Sequence, residues 1–369
     1  MRIGDKKQES YEIMKIGLIG LPNSGKTTVF NALTGSEAPV TAYSSDRSKP
    51  HVALVNVGDE RVKRLSEMYN PMKTIYATVE FVDFSGLSAG SAREGIFSGE
   101  AMGMMRMMDA IALVVRNFKE DLMLPPAPLQ DVGQLEEELL VSDMIVAESR
   151  LERIHQGYKR GQKSDALQRE EMVLIRILDQ LNKALPIRDV QLTPDEDKTI
   201  RGFQFLTWKP LMVILNSDES RFGMNGPLLE EMEKTHRVIE FAGNFEMELT
   251  RLDDQEEARL FMEDMGIKES ASYRLTWLAY KTLGYISFFT VGSDEVRAWN
   301  VHRGDTALDA AGTIHTDLAK GFIRAECFSY EDYLQCGTEK GLREKGLLRL
   351  EGKEYTVQDG DIMNIRFNI

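Results

Sequence analysis

Residues 20–27 read Gly-Leu-Pro-Asn-Ser-Gly-Lys-Thr and fit the pattern G-x-x-x-x-G-K-[ST] in full. No other feature restricts the fold as much, because the pattern cradles phosphate only where it joins a buried strand to a helix. Both flanks comply. Residues 15–21, a short apolar run bounded by glycine, read as a buried parallel strand. Residues 26–35 read as a helix, with Val29, Phe30 and Leu33 on one face and Gly35 at its end. Gly20 and Gly25 let the backbone wrap closely around phosphate oxygens, with N–H groups and the helix N-terminus facing the negative charge. Lys26 is the candidate catalytic cation, reaching the β- and γ-phosphates, and Thr27 offers a hydroxyl to Mg²⁺. Pro22, Asn23, Ser24 and Thr28 complete the candidate nucleotide-binding loop.

Such a loop requires a metal-side carboxylate at the end of another strand. The run Val-Glu-Phe-Val-Asp-Phe-Ser-Gly supplies it: Asp83 ends an apolar stretch and Gly86 completes D-x-x-G. Asp83 is the second candidate metal residue, acting through water, and the Gly86 N–H is placed to meet the γ-phosphate. Residue 87, where many GTPases carry a water-orienting Gln, is Leu. An apolar side chain cannot orient water by hydrogen bonding, so slow intrinsic turnover is expected.

A third strand, residues 210–215, runs into Asn216-Ser217-Asp218-Glu219. The guanine-reading form is Asn-Lys-x-Asp, whose Asp accepts hydrogen bonds from two guanine donors. Here Ser217 replaces the Lys, Glu219 is one methylene longer than Asp, and Asp218 sits one residue early. Asn216 keeps the ability to bond a purine, so guanine selection is weakened without loss of a base site.

Alternating β-runs and helices over residues 15–130 and 205–285 argue for an α/β domain with a mainly parallel sheet. Between them, residues 131–204 hold two amphipathic helices joined by a polar, Gly-containing turn, read as an antiparallel hairpin. Its stripe comprises Leu135, Leu139, Ile145, Leu151 and Ile154 on one helix, with Leu167, Leu174, Leu178, Leu181 and Leu185 on the other. Residues 286–369 read as a small α+β module with one helix near 307–312, and residues 1–14 as a polar extension. The acid runs at 135–140 and 194–198 read as solvated faces, and the methionine cluster of residues 101–108 as an adaptable core helix.

The net charge of −14 disfavours DNA as a partner, since phosphate contacts need clustered Lys and Arg. From Phe288 onward acids outnumber bases fourteen to ten. No apolar run approaches the roughly 20 residues that span a bilayer. Two cysteines, Cys327 and Cys336, form neither a disulfide framework nor a metal pattern, in keeping with a cytoplasmic location. His302 and His315 show no metal spacing and read as ordinary surface or core residues.

The stretches GLPNSGKTTVFNALTG, ATVEFVDFSGL, NSDE, ALPIRD and FFTVGSDEVRAWNVHRGDTALDAAGTIHTDLAKGFIRAE together resemble the YchF / Obg-like ATPase subfamily of Obg-type P-loop proteins. The resemblance runs from about residue 15 to residue 369. It implies a P-loop domain interrupted by a coiled-coil hairpin and followed by a β-grasp TGS domain. It also implies ATP in preference to GTP, Mg²⁺, a K⁺ ion held near Asn23, and association with the ribosome. Ala242, Gly243 and Asn244 match the family's Ser-Ala-Lys and are expected to line the base through backbone N–H groups. The first switch departs from the family: Arg47 stands near the expected Thr, with Thr41, Ser44, Ser45 and Ser48 as substitutes. Two further readings stay open, a GTPase of the Obg type and a nucleotide-gated binding protein with negligible hydrolysis.

Overall fold

The computed structural model describes residues 13–35, 50–84, 99–119, 123–252 and 254–368. They fall into two compact units, one containing residues 15–54 and 80–275, the other residues 55–79 and 276–369. In chain order the strands are β1 Met14–Ile19, β2 His51–Asn56, β3 Lys73–Ile75, β4 Thr78–Asp83, β5 Ala110–Asn117, β6 Leu211–Ser217, β7 Arg237–Phe241, β8 Tyr285–Thr290, β9 Glu295–His302, β10 Phe322–Ser329, β11 Arg349–Glu351 and β12 Asp361–Phe367. The helices used below are α1 Lys26–Thr34, α2 Glu60–Tyr69, α3 Gly99–Met105, α4 Pro128–Lys159, α5 Asp165–Asn182, α6 Pro194–Ile200, α7 Gly226–Glu233, α8 Gly243–Leu249, α9 Gln255–Asp264, α10 Ala271–Leu283 and α11 Ala307–Ile314.

The first sheet has the order β2-β4-β1-β5-β6-β7, and its pairs β1–β5, β5–β6 and β6–β7 are parallel. β6 is buried along its whole length and β5 at every residue but Arg116, which suits sequences as uniformly apolar as these to interior positions. β4 and β5 flank β1 on opposite sides, so the order reverses around it. In open α/β sheets, ligands bind beyond the carboxyl ends of the strands at such a reversal, and here the phosphate loop leaves β1 at that edge. α3 supplies Ala101, Met102 and Met105 to the core beneath, joined by Met108, while Met107 faces solvent.

α4 and α5 share a buried core that includes Ala147, Leu151, Ile154, Val173, Leu174 and Ile177. Four members of the expected stripe do not join it: Ile145 and Leu185 are exposed, and Leu135 and Leu139 pack on the sheet. Val173 and Ile177, which lie outside the expected stripe, are buried in that core. α4 begins at Pro128, and its first half packs on the sheet instead, through Val132, Leu135 and Leu139. Midway along it Asp143 is fully buried. It accepts hydrogen bonds from Arg106 Nη1 at 2.8 Å, from the backbone N–H groups of Leu206 and Thr207, and from the Thr207 hydroxyl. Four donors on one carboxylate satisfy a charge that burial would otherwise penalise heavily. The acid run before it is not wholly solvated either: Glu136 accepts from Arg188 and lies 3.2 Å from His236 Nε2.

The second sheet, β11-β10-β12-β8-β9-β3, is mixed, with parallel β12–β8 and β9–β3 pairs among antiparallel ones. α11 covers one face through Ala307, Ala310 and Ala311. The module holds more helix than the sequence suggests, with further short helices at Thr316–Lys320, Tyr330–Cys336 and Glu339–Glu344. Its edge strand β3 comes from a distant part of the chain. Arg61 on α2 pairs with Asp59 and with Asp359, so the segment 55–79 is bound to the C-terminal unit by ion pairs as well as by strand pairing. Three-residue strands carry too little pattern to be read from sequence.

Candidate nucleotide-binding site

The loop between β1 and α1 takes the shape its glycines permit. Gly25 is left-handed, with φ of 79°, and a Cβ there would overlap Asn216 Nδ2. A Cβ at Gly20 would stand 2.5 Å from both Ser24 Oγ and the Val114 carbonyl. Asn23 is also left-handed, a conformation Asn tolerates better than most residues. α1 opens at Gly25 without a side-chain hydrogen bond to cap it. Ser24 Oγ is buried with no hydrogen-bond partner among the described residues.

Lys26 is 7% exposed, and its burial lowers the ammonium pKa, with the nearby Asp83 charge opposing the shift. Asp83 is fully buried at the end of β4 and accepts a hydrogen bond from Thr27 Oγ1 at 3.2 Å. One hydroxyl and one carboxylate side by side form a hard oxygen set that suits Mg²⁺, which keeps several waters and takes few protein ligands. The buried Lys26 cation and the orphaned Ser24 hydroxyl suit a polyphosphate. His51 Nδ1 stands 3.9 Å from Asp83 Oδ2 and its ring lies against Phe30. Sequence reasoning missed this neighbour, since a lone His gives no signal of where it folds.

At the other end of the site, Asn216 links two loops. Its Nδ2 donates to the Ser24 carbonyl at 3.0 Å, and its Oδ1 accepts from the Gly243 N–H at 3.2 Å. Glycine is needed at 243 for the same reason as at 25: a Cβ would lie 2.5 Å from Asn216 Oδ1. Ser217, in place of Lys, is buried. It accepts from Asn117 Nδ2 and donates to Glu240 Oε1 at 2.7 Å, while Glu240 also accepts from Asn225 Nδ2 and the Gly223 N–H. Asp218 is turned into its own loop, accepting from Ser220 Oγ at 2.6 Å. Glu219 is exposed.

The expectation that backbone N–H groups of Ala242 and Gly243 are open to a base is corrected here. The Ala242 N–H donates to Glu246 Oε1 at 3.2 Å, and Gly243 is taken by Asn216. Asn244 is exposed. Glu246 is buried, its pKa is pushed up by that burial against the pull of Arg274, and Arg274 Nη2 donates to its Oε1 at 2.5 Å. Arg274 Nη1 also donates to the Glu240 carbonyl. Sequence reasoning missed Glu240, Glu246 and Arg274; acids and a base on separate elements carry no spacing signal. Gly86, Leu87 and the first-switch residues Thr41, Ser44, Ser45, Arg47 and Ser48 lie outside the described residues.

Two family models match the chain, one described as "50S ribosome-binding GTPase" over residues 15–150, the other, YchF-GTPase_C, as "Protein of unknown function (DUF933)" over residues 285–368. The "Ribosome-binding ATPase YchF" of Haemophilus ducreyi is 38% identical over 364 residues, covering 96% of this chain and 99% of its own. The Bacillus subtilis protein of the same name is 35% identical with the same coverage. The solved Schizosaccharomyces pombe YchF GTPase superposes with a TM-score of 0.83 at 30% identity, covering 96% of this chain and 97% of its own. Identity at that level across nearly the whole of both partners leaves one assignment: the chain belongs to the YchF family.

Proposed function

We propose that this protein is a Mg²⁺-dependent nucleoside-triphosphatase switch that takes ATP in preference to GTP and associates with the ribosome in the cytoplasm. The observation that carries the reading is the Thr27–Asp83 hydrogen bond beside the buried Lys26, at the mouth of an uncapped helix. The names of its relatives, ribosome-binding ATPases, support the nucleotide and the partner. Lys26 and the loop backbone between Gly20 and Thr28 bind and orient the phosphates, and Gly86 meets the terminal one. Thr27 and Asp83 hold the metal, which when bound neutralises charge building up on the phosphate oxygens. Asn216, Glu219 and the Ala242–Asn244 turn surround the base, and Asn23 is the residue for a K⁺ ion.

In this reading α4 and α5 form the coiled-coil hairpin of the 131–204 insertion, and residues 286–369 form a β-grasp TGS domain. Loops that order around the γ-phosphate and relax after hydrolysis would signal to the partner. Side-by-side calorimetric titration with Mg²⁺-ATP and Mg²⁺-GTP tests the base; tighter GTP binding would sink the ATP assignment in favour of an Obg-type GTPase. Leu87 favours a second reading, a nucleotide-gated binder with negligible turnover. Phosphate release with and without ribosomes decides between them, since binding without turnover in either state selects the second. Equal rates in K⁺ and Na⁺ buffers would remove K⁺.

A further inference from the structure

The strand exit at Phe241 presents two successive backbone donors, the N–H groups of Ala242 and Gly243. Both are held inside the protein, one by the Glu246 carboxylate and one by the Asn216 amide. Adenine and guanine differ in what they offer at position 6 of the ring: guanine carries a carbonyl that accepts, adenine an amino group that donates. A turn with free N–H groups favours the carbonyl. A turn whose N–H groups are already occupied offers it nothing, and a purine carbonyl desolvated there would remain unpaired, at a cost of about 1–3 kcal/mol.

We infer that Glu246, fixed by Arg274, is a positioning residue that sets purine preference by holding the Ala242 N–H away from the base. The geometry supports this on three counts. Glu246 sits in the first turn of α8, directly after the strand exit, and its carboxylate reaches back four residues to Ala242. Arg274 on α10 prevents rotation of that carboxylate, bonding its Oε1 at 2.5 Å while its other amino group anchors the end of β7 at the Glu240 carbonyl. The guanidinium also lies over the Phe241 ring, 5.1 Å from its centroid. Finally, the arrangement is more than a cap, because Glu246 Oε2 and Arg274 Nε are buried without a hydrogen-bond partner among the described residues. A carboxylate kept in such surroundings with one oxygen unsatisfied is a costly way to hold a short helix, and one with a purpose at a turn beside the base.

The inference rests on the nucleotide-binding reading above, and its test separates the two. Full-length protein is titrated with ATP, GTP and inorganic tripolyphosphate, all with Mg²⁺. Glu246→Met removes the acceptor and releases the Ala242 N–H. The double variant Glu246→Met/Arg274→Met does the same without leaving a buried unpaired guanidinium, should the single variant fold poorly. The expected result is a fall in the ATP-over-GTP affinity ratio of about tenfold, corresponding to one recovered hydrogen bond, with tripolyphosphate affinity unchanged. Glu246→Gln keeps an acceptor and restores most of the wild-type ratio. Parallel losses for ATP and GTP, or an unchanged ratio in the folded double variant, overturn the inference. Wild-type protein that binds none of the three ligands overturns the nucleotide-binding reading instead.

Discussion

The proposed phosphate end and the proposed base end of the site are built by different means. At the proposed phosphate end one contiguous loop, with its two glycines and the buried cation Lys26, supplies most of the described groups, and Asp83 joins it from β4 through Thr27. At the base end no contiguous motif suffices. Asn216, Ser217 and the 242–244 turn owe their positions to Glu240, Glu246, Arg274 and Asn117, residues spread across nearly 160 positions of chain. Phosphate is the same in every nucleotide, so a fixed backbone cradle serves it. A base must be told from its relatives, and that discrimination depends on which donors and acceptors are already engaged.

Variants can break the contrast or sharpen it. The largest effect is expected from Arg274→Ala, which leaves the Glu246 carboxylate buried without its cation and should cost about 3 kcal/mol of stability. Urea unfolding measures it, and a loss below about 1 kcal/mol would show the pair to be incidental. Lys26→Ala should weaken ATP, GTP and tripolyphosphate alike by about 100-fold, as loss of a charge-assisted phosphate contact requires; selective loss of one nucleotide would contradict the division of labour. Asn216→Ala cuts the bridge between the Ser24 carbonyl and the Gly243 N–H, and about 2 kcal/mol of ATP affinity should go with it. Because Asn216 touches both loops, tripolyphosphate binding should weaken too, unlike in the Glu246 variants. Ser217→Ala removes three hydrogen bonds, one of them long, from a network that Glu240 still organises, for about 1 kcal/mol of stability.

The smallest effect is a pH dependence. Burial holds the Lys26 pKa below its ordinary 10.5, so between the lowered value and 10.5 the unfolded chain keeps a proton that the folded one has released. Stability of the nucleotide-free protein should therefore rise with pH across that window and lose this contribution as pH falls through the folded value. Bound tripolyphosphate favours the charged form and should flatten the slope. Denaturant midpoints with and without tripolyphosphate report it, and Lys26→Met should abolish the difference.

Much of this was legible beforehand. The strand-loop-helix order around residues 20–27 and the placement of Asp83 on a second strand follow from apolar period and glycine spacing. The substitution of Ser217 and Glu219 for the guanine-reading pair can also be seen without coordinates. Helix phase was less secure: Ile145 and Leu185 read as part of a leucine stripe yet face solvent, Ile145 on a helix that changes partner along its length and Leu185 beyond the end of α5. The strand β3 and its pairing with β9 could not be read, since three residues leave no period and the partner lies more than 200 positions away.

From residue order alone came the phosphate-loop motif, the proposed metal-side carboxylate and the departure from the guanine-reading pattern, because each depends on groups close together in the chain or on the ends of obvious strands. What folding decided was which polar groups remain available. The Ala242 and Gly243 N–H groups and the Asn216 amide all looked open to a base, and each has a partner inside the protein. Hydrogen-bond capacity is a property of residues, but its occupancy belongs to the packed structure, where Glu246 and Arg274 meet only because β7, α8 and α10 bring them together.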